Sequence, residues 1–138
     1  MKSVKTVLIL ASVLVIITSA FFFYQYYKPE RNIASERPLL LTAEDLFQKF
    51  SSNEQQANQL YLNKVVQVTG NVLDIKHTNQ GEDVIVLKSS DPMFGTCCTL
   101  ASSQTLHAKL NQGDKVTIKG ICTGYLTDVV LIRSFLVN

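Results

Sequence analysis

The stretch NEQQANQLYLNKVVQVTGNVLDI, Asn53 to Ile75, decides how the rest of the chain is arranged. A short polar helix ending near Tyr61 passes through a tight step at Leu62-Asn63 into a strand. In that strand Val66, Val68, Gly70 and Val72 share one face and Gln67, Thr69 and Asn71 share the other, which is the alternation of a half-buried strand. Tyr61 is expected to anchor the helix against the sheet.

Upstream, Thr42 followed three residues later by Asp45 resembles a capping box, and Leu46, Phe47 and Phe50 then fall on one helical face. A second start is expected at Ser52, with Gln55 three residues on and Ala57, Leu60 and Tyr61 as apolar contacts. Two short helices therefore precede the first strand. Downstream, Asn79-Gln80-Gly81 and Ser89 to Pro92 bracket a strand at Val84 to Leu87, and a third strand is expected around Thr96 to Leu100. Ser103 to Leu110 reads as a short helix, Lys115 to Thr123 as the fourth strand, Gly124 to Thr127 as a turn and Val129 to Val137 as the fifth strand. Both faces of that last run are apolar apart from Arg133 and Ser134, so its inward face stays open.

Val66-Gln67-Val68-Thr69-Gly70 is echoed by Val116-Thr117-Ile118-Lys119-Gly120 in the form V-x-[VI]-x-G. Two strands that bury alternate residues and need a glycine at the same stage suit a small barrel, which bends or bulges sharply there. Gly70 and Gly120 are the structural glycines of this reading.

The amino terminus has another character. After Lys2 and Lys5 the chain runs from Val7 to Tyr24, 18 residues, without a charge. As a helix this would rise about 27 Å, close to the hydrocarbon thickness of a bilayer. Phe21 to Phe23 with Tyr24, Tyr26 and Tyr27 then supply aromatic residues suited to an interface. Residues 1–27 are expected to be a signal anchor. The rival is a cleaved signal peptide, for which Thr18-Ser19-Ala20 offers a site. Residues 28–41, with two prolines and mixed charge, have linker composition. From Pro38 onward eight basic residues stand against nine acidic ones, so residues 42–138, the expected domain, carry no basic excess to draw in nucleic acid.

Five strands with a helix between the third and fourth is the order of an OB-fold. The residues Asn53-Glu54, Ala57, Tyr61, Lys64 to Val72, Cys98-Thr99-Leu100, Gly113 to Val116 and Gly120 to Tyr125 resemble the tRNA_anti-like OB-fold family, small bacterial domains that are exported or membrane-attached. The expected fold is mainly β: a five-stranded OB barrel with short helices before strand 1 and between strands 3 and 4, preceded by one transmembrane helix. The resemblance implies no established activity. Together with the uncharged amino-terminal run, the expectation is a single-pass protein of the bacterial inner membrane, with the domain facing the periplasm or cell exterior.

Counting in phase puts Cys122 on the face of Val116 and Ile118 and Cys98 on that of Leu100, while Cys97 points the other way. Cys98 and Cys122 form the natural pair, in an exported domain most simply a disulfide. Buried free thiols are the alternative, and redox or metal chemistry a third. His77 and His107 lack partners in sequence, and no H-E-x-x-H, G-x-S-x-G or phosphate-binding glycine loop occurs. Neither an enzyme, a cofactor nor a metal is expected.

The expectation is a noncatalytic binding module with an unknown protein, glycan or small-molecule ligand. Its candidate surface is Gln67, Thr69 and Asn71 with Tyr125. The alternative is a single-stranded nucleic-acid binder using Lys64, Lys76, Lys88, Lys115 and Lys119; the shortage of aromatic residues on the second and third strands argues against it. A second alternative is a haem or metal carrier similar to the haem chaperone of cytochrome c maturation, which uses a histidine beyond the barrel. No histidine follows His107.

Overall fold

A computed structural model describes residues 2–26, 31–79, 81–101 and 110–137, with the side chains of 2–6, 8 and 9 left aside. The chain divides into two compact units, Met1–Arg31 and Asn32–Asn138. The first contains α1 (Lys2–Tyr26). Its side chains from Leu10 to Tyr26 are exposed on every side. Among the described residues no helix is long and apolar enough to cross a membrane. The transmembrane span expected over 1–27 falls partly on residues outside that set.

The second unit runs β1 (Leu39–Thr42), α2 (Ala43–Ser52), α3 (Glu54–Tyr61), β2 (Val65–His77), β3 (Asp83–Lys88), β4 (Gly95–Leu100), β5 (Lys115–Tyr125) and β6 (Val129–Leu136). Neighbouring strands follow the order β1-β2-β3-β4-β6-β5, and β5 returns to β2. β2 to β6 thus close a five-stranded barrel, and β1 lies parallel along β2 from Leu39↔Val66 to Thr42↔Thr69. This sixth strand replaces the end of the linker expected over 28–41. The helix expected at Ser103 to Leu110 lies almost wholly outside the described residues; Leu110 itself packs against the core.

Closure rests on the repeated pentapeptide. β2 and β5 pair antiparallel with Val66 opposite Gly120, Val68 opposite Ile118 and Gly70 opposite Val116. Each glycine therefore faces the other strand's leading valine. Beyond Asn71 the strand changes partner, pairing with β3 from Val72↔Leu87 onward, with a register shift between Val72 and Asp74. Gly70 lies just before this change. A β-carbon there would lie 2.9 Å from the Ala43 Cβ, so glycine also admits the first turn of α2. Gly120 sits in the shift between Lys119 and Ile121 in the β5–β6 ladder, against the Ser134 hydroxyl and the Ile132 carbonyl.

The helices plug one end of the barrel. Thr42 caps α2, its Oγ1 accepting from Asp45 N at 3.0 Å, and Ala43, Leu46, Phe47 and Phe50 are buried. The cap of α3 is Asn53, not the expected Ser52: its Oδ1 accepts from Gln56 N at 3.1 Å. Ser52 is already committed, its hydroxyl donating back to Gln48 O at 2.6 Å. Ala57 and Tyr61 are buried as expected, whereas Leu60 is 47% exposed. The step into β2 is Asn63 at φ +60°, a conformation asparagine tolerates. In β6 Val129 and Leu131 point inward. Arg133 at φ +51° then inserts an extra residue, and Ser134 is the next fully buried position.

Residues 32–38 pass over the outside of the barrel. Ile33 is buried with Val65, Ile121 and Phe135 in a small second apolar cluster. Lys119 is buried beside it, its Nζ donating to Ala34 O at 2.9 Å and Glu36 O at 2.6 Å and standing 5.9 Å above the Phe135 ring. This stretch is a strap packed on the barrel.

Gly120→Ala should destabilise the full chain by about 1–3 kcal/mol through overpacking. Ser134→Ala should leave the melting temperature unchanged or raise it, because the buried hydroxyl has no hydrogen-bond partner. Thermal unfolding measures both. Lys119→Ala should accelerate amide exchange at Leu39–Thr42 by about tenfold or more, as expected for loss of charge-assisted hydrogen bonds, with a smaller change in global melting.

Candidate binding clefts

The outer face of β2 is where sequence alternation placed the candidate surface, and the sheet divides those residues. Gln67 lies between Leu40 of β1 and Lys119 of β5, under the influence of the strap. Thr69 faces Thr117, the two hydroxyl oxygens 3.0 Å apart. Asn71 faces Lys115 and is exposed. Thr69 and Asn71 line a polar cleft of about 500 Å³ together with Thr42, Glu44, Lys88, Ser89 and Ser90. Gln67 and Tyr125 do not line it.

The cleft walls are set by β-register and loop bracing. Pairing of Val72 with Leu87 carries Lys88 beside Asn71. Ser89 is buried: its hydroxyl donates to Phe94 O at 2.5 Å and accepts from Asp91 N at 3.0 Å. Asp91 in turn accepts from Met93 N at 2.8 Å and Phe94 N at 3.1 Å, and Gly95 N donates to Asp128 Oδ1 at 2.6 Å. The 89–95 loop is thereby held rigidly against the β5–β6 turn. Glu44 and Lys88 supply one charge of each sign, and the other lining groups are hydroxyls, an amide and backbone. In the sequence Ser89 to Pro92 carries only turn signals, and nothing there brings Lys88 beside Asn71.

A second cleft of about 550 Å³ lies between α3 and the β5–β6 turn, lined by Glu54, Asn58, Leu62, Thr123, Gly124, Tyr125, Leu126 and Val130. Tyr125 is half-buried there, not a free loop residue. Its ring centroid is 5.9 Å from that of Phe47, edge-on, and 6.0 Å from that of Phe50, stacked.

All three cysteines are free thiols. This corrects the expected Cys98–Cys122 disulfide. Both residues face inward and both are fully buried, but each is paired with Leu131, so β6 lies between them. Two strand spacings put their Cα atoms roughly 9–10 Å apart, beyond the ~7 Å that a disulfide spans. Burial pushes the Cys98 and Cys122 thiols up. Cys97, half-buried on the outer face, is raised to about 11, first by burial and then by the charge of Asp128, with Lys76 opposing.

Other expected residues carry little chemistry. His77 is an exposed strand-end residue whose Nδ1 contacts Asp83 Oδ1. His107 lies outside the described residues. Among the described residues no group of three or more His, Cys, Asp or Glu could hold a metal. Lys64, Lys76, Lys88 and Lys115 are exposed, whereas Lys119 is spent on the strap. Phe47, Phe50 and Tyr61 are buried, while Phe94 and Tyr125 pack on the main core and Phe135 on the second cluster.

A closed barrel of this strand order, with clefts rimmed by loops, is an OB-fold. The chain belongs to the tRNA_anti-like family, whose family model matches residues 1–136. Among solved structures it is similar to a Klebsiella pneumoniae lipoprotein provisionally described as nucleic acid-binding. Identity is 20%, the TM-score is 0.59, and the match covers 80% of this chain and 99% of that one. At that identity the likeness is one of fold alone. No curated protein matches the chain.

The thiols give a testable pH dependence. A thiol is neutral when protonated, and folding raises the Cys97 value from 9.0 to about 11. Its contribution to stability is therefore complete below about pH 9 and is lost as pH rises toward 11. In the native full chain, iodoacetamide at pH 8 should modify Cys97 about a hundredfold more slowly than an ordinary thiol. Cys98 and Cys122 should react only on unfolding. Intact mass under non-reducing conditions should show no internal disulfide.

Proposed function

We propose that this protein is a noncatalytic binding module, held outside a bacterial cytoplasmic membrane by its amino-terminal helix. The polar cleft at Thr69 and Asn71 takes its ligand. The observation that carries this reading is the composition of that cleft. One acid, one base, three serine or threonine hydroxyls beside Ser89, and the Asn71 amide can exchange hydrogen bonds with a polar ligand of little net charge, such as a glycan segment. The uncharged run from Val7 to Tyr24 supports the anchor, and likeness to a lipoprotein supports a place at the membrane outside the cytoplasm.

Nucleic acid is the second reading, favoured by the description of the Klebsiella structure. Against it stands the engagement of all six aromatic rings of the 42–138 region in packing, since OB-folds hold single strands by stacking bases on exposed rings.

Full-length protein in phosphatidylcholine nanodiscs, applied to a glycan array, should give saturable binding that Asn71→Ala with Lys88→Ala weakens about tenfold or more. Binding untouched by the double variant would remove the cleft from the proposal. Fluorescence anisotropy with single-stranded oligonucleotides should show no saturable, salt-dependent association; a steep decline of affinity with salt would favour the second reading. A reporter fused after Asn138 should be active only outside the cytoplasm.

A further inference from the structure

We infer that the cleft between α3 and the β5–β6 turn is a second binding site, which takes an extended peptide carrying a leucine-like side chain beside a basic one. Apolar groups dominate this cleft: Leu62, Tyr125, Leu126 and Val130 form its walls. Leu126 is 87% exposed at the tip of the turn, and Leu62 is 38% exposed across from it. Two leucines standing in water across a gap are a receptive pair for a third apolar side chain.

The turn that presents Leu126 is braced. Asp128 accepts from Gly95 N at 2.6 Å, and Thr123 Oγ1 donates to Val130 O at 3.1 Å. These bonds fix the backbone of the turn before a ligand arrives. The cleft is also kept open by its backbone. Gly124 has φ +121°, which residues with side chains rarely adopt, and a β-carbon there would fill part of the cleft, in ordinary contact with Leu62 Cδ1 at 3.6 Å and Asn58 Oδ1 at 3.9 Å.

Two polar features select the occupant. Asn58 Oδ1, converging with Leu62 on Gly124, is buried without a hydrogen-bond partner. Buried acceptors are ordinarily paired, and a peptide N–H reaching the cleft as Leu62 turns aside would pair this one. Among the described residues of the lining Glu54 alone is charged, so the complementary partner is basic. This site shares no lining residue with the polar cleft. Its test therefore stands apart from that of the proposed function.

Full-length protein with isotope-labelled Leu and Val methyl groups, in phosphatidylcholine nanodiscs, should be titrated with three acetylated, amidated tetrapeptides: Leu-Lys-Leu-Lys, Leu-Glu-Leu-Glu and Ser-Lys-Ser-Lys. The lysine–leucine peptide should shift the Leu62, Leu126 and Val130 methyl signals saturably, and the other two should not. Glu54→Lys, a surface change, should weaken the affinity about tenfold or more, and Leu126→Ser should do likewise. Asn71→Ala with Lys88→Ala should leave it unchanged. Equal shifts with the glutamate peptide, no saturation, or indifference to Glu54→Lys would each overturn the assignment.

Discussion

The antiparallel pairing of Val66–Gly70 with Val116–Gly120 is the constraint on which the structure depends. It joins the first barrel strand to the fourth and so turns an open sheet into a closed one. Closure leaves β2 with more neighbours than an ordinary strand: β5, then β3 past the bend, and β1 along the remaining edge. A strand with those duties must curve. Glycine at 70 and 120 removes the side chains that would obstruct Ala43 on one side and Ser134 on the other. The helical plug and the β6 contact are thus consequences of the same two residues that permit closure.

Closure also creates a problem on the outside of the barrel. Val65 and Ile121 interrupt the alternation and place apolar groups on the outer face, where Phe135 joins them. The strap answers it by inserting Ile33, and Lys119 fixes the strap by capping two of its carbonyls. Burying an ammonium is costly unless it is well hydrogen-bonded; here two carbonyls and the face of Phe135 surround it. Any ligand approaching Gln67 therefore meets β1 and the strap first, whereas Thr69, at the last β1 pair beside Thr42, and Asn71, beyond the end of β1, open into the polar cleft.

Much of this was legible wherever alternation is unbroken. β2 buries Val66, Val68 and Val72 as its pattern requires, and the two glycines lie at a change of partner and a register shift. Legibility failed where a single residue shifts phase or where neighbours in space are distant in sequence. In β6 the left-handed Arg133 moves every later residue to the other face, which no two-residue period can record. The cysteine pair failed for a lateral reason: phase shows that two residues point inward, not that the last strand of the chain lies between them. The strap was misread because one isoleucine among prolines and charges does not register as a core segment. Of the candidate surface, Thr69 and Asn71 were readable from β2 alone, but Lys88 and Ser90 join them through the β2–β3 register and a braced turn.

The allocation of aromatic side chains carries the argument furthest toward function. A small barrel with six rings can spend them on packing or present them to ligands. Here Phe47, Phe50, Tyr61 and Tyr125 join the helical plug to the barrel, Phe94 packs on the core from the 89–95 loop, and Phe135 sits under the strap beside Lys119. The plug occupies one end of the barrel, and holding it there consumes the rings that a base-stacking OB-fold would expose. One cleft is lined by hydroxyls, amides and isolated charges, and the other by leucine and valine side chains beside Tyr125 and Glu54. Those groups suit hydrogen bonding in the first cleft and apolar burial in the second, in keeping with the ligand classes proposed for them.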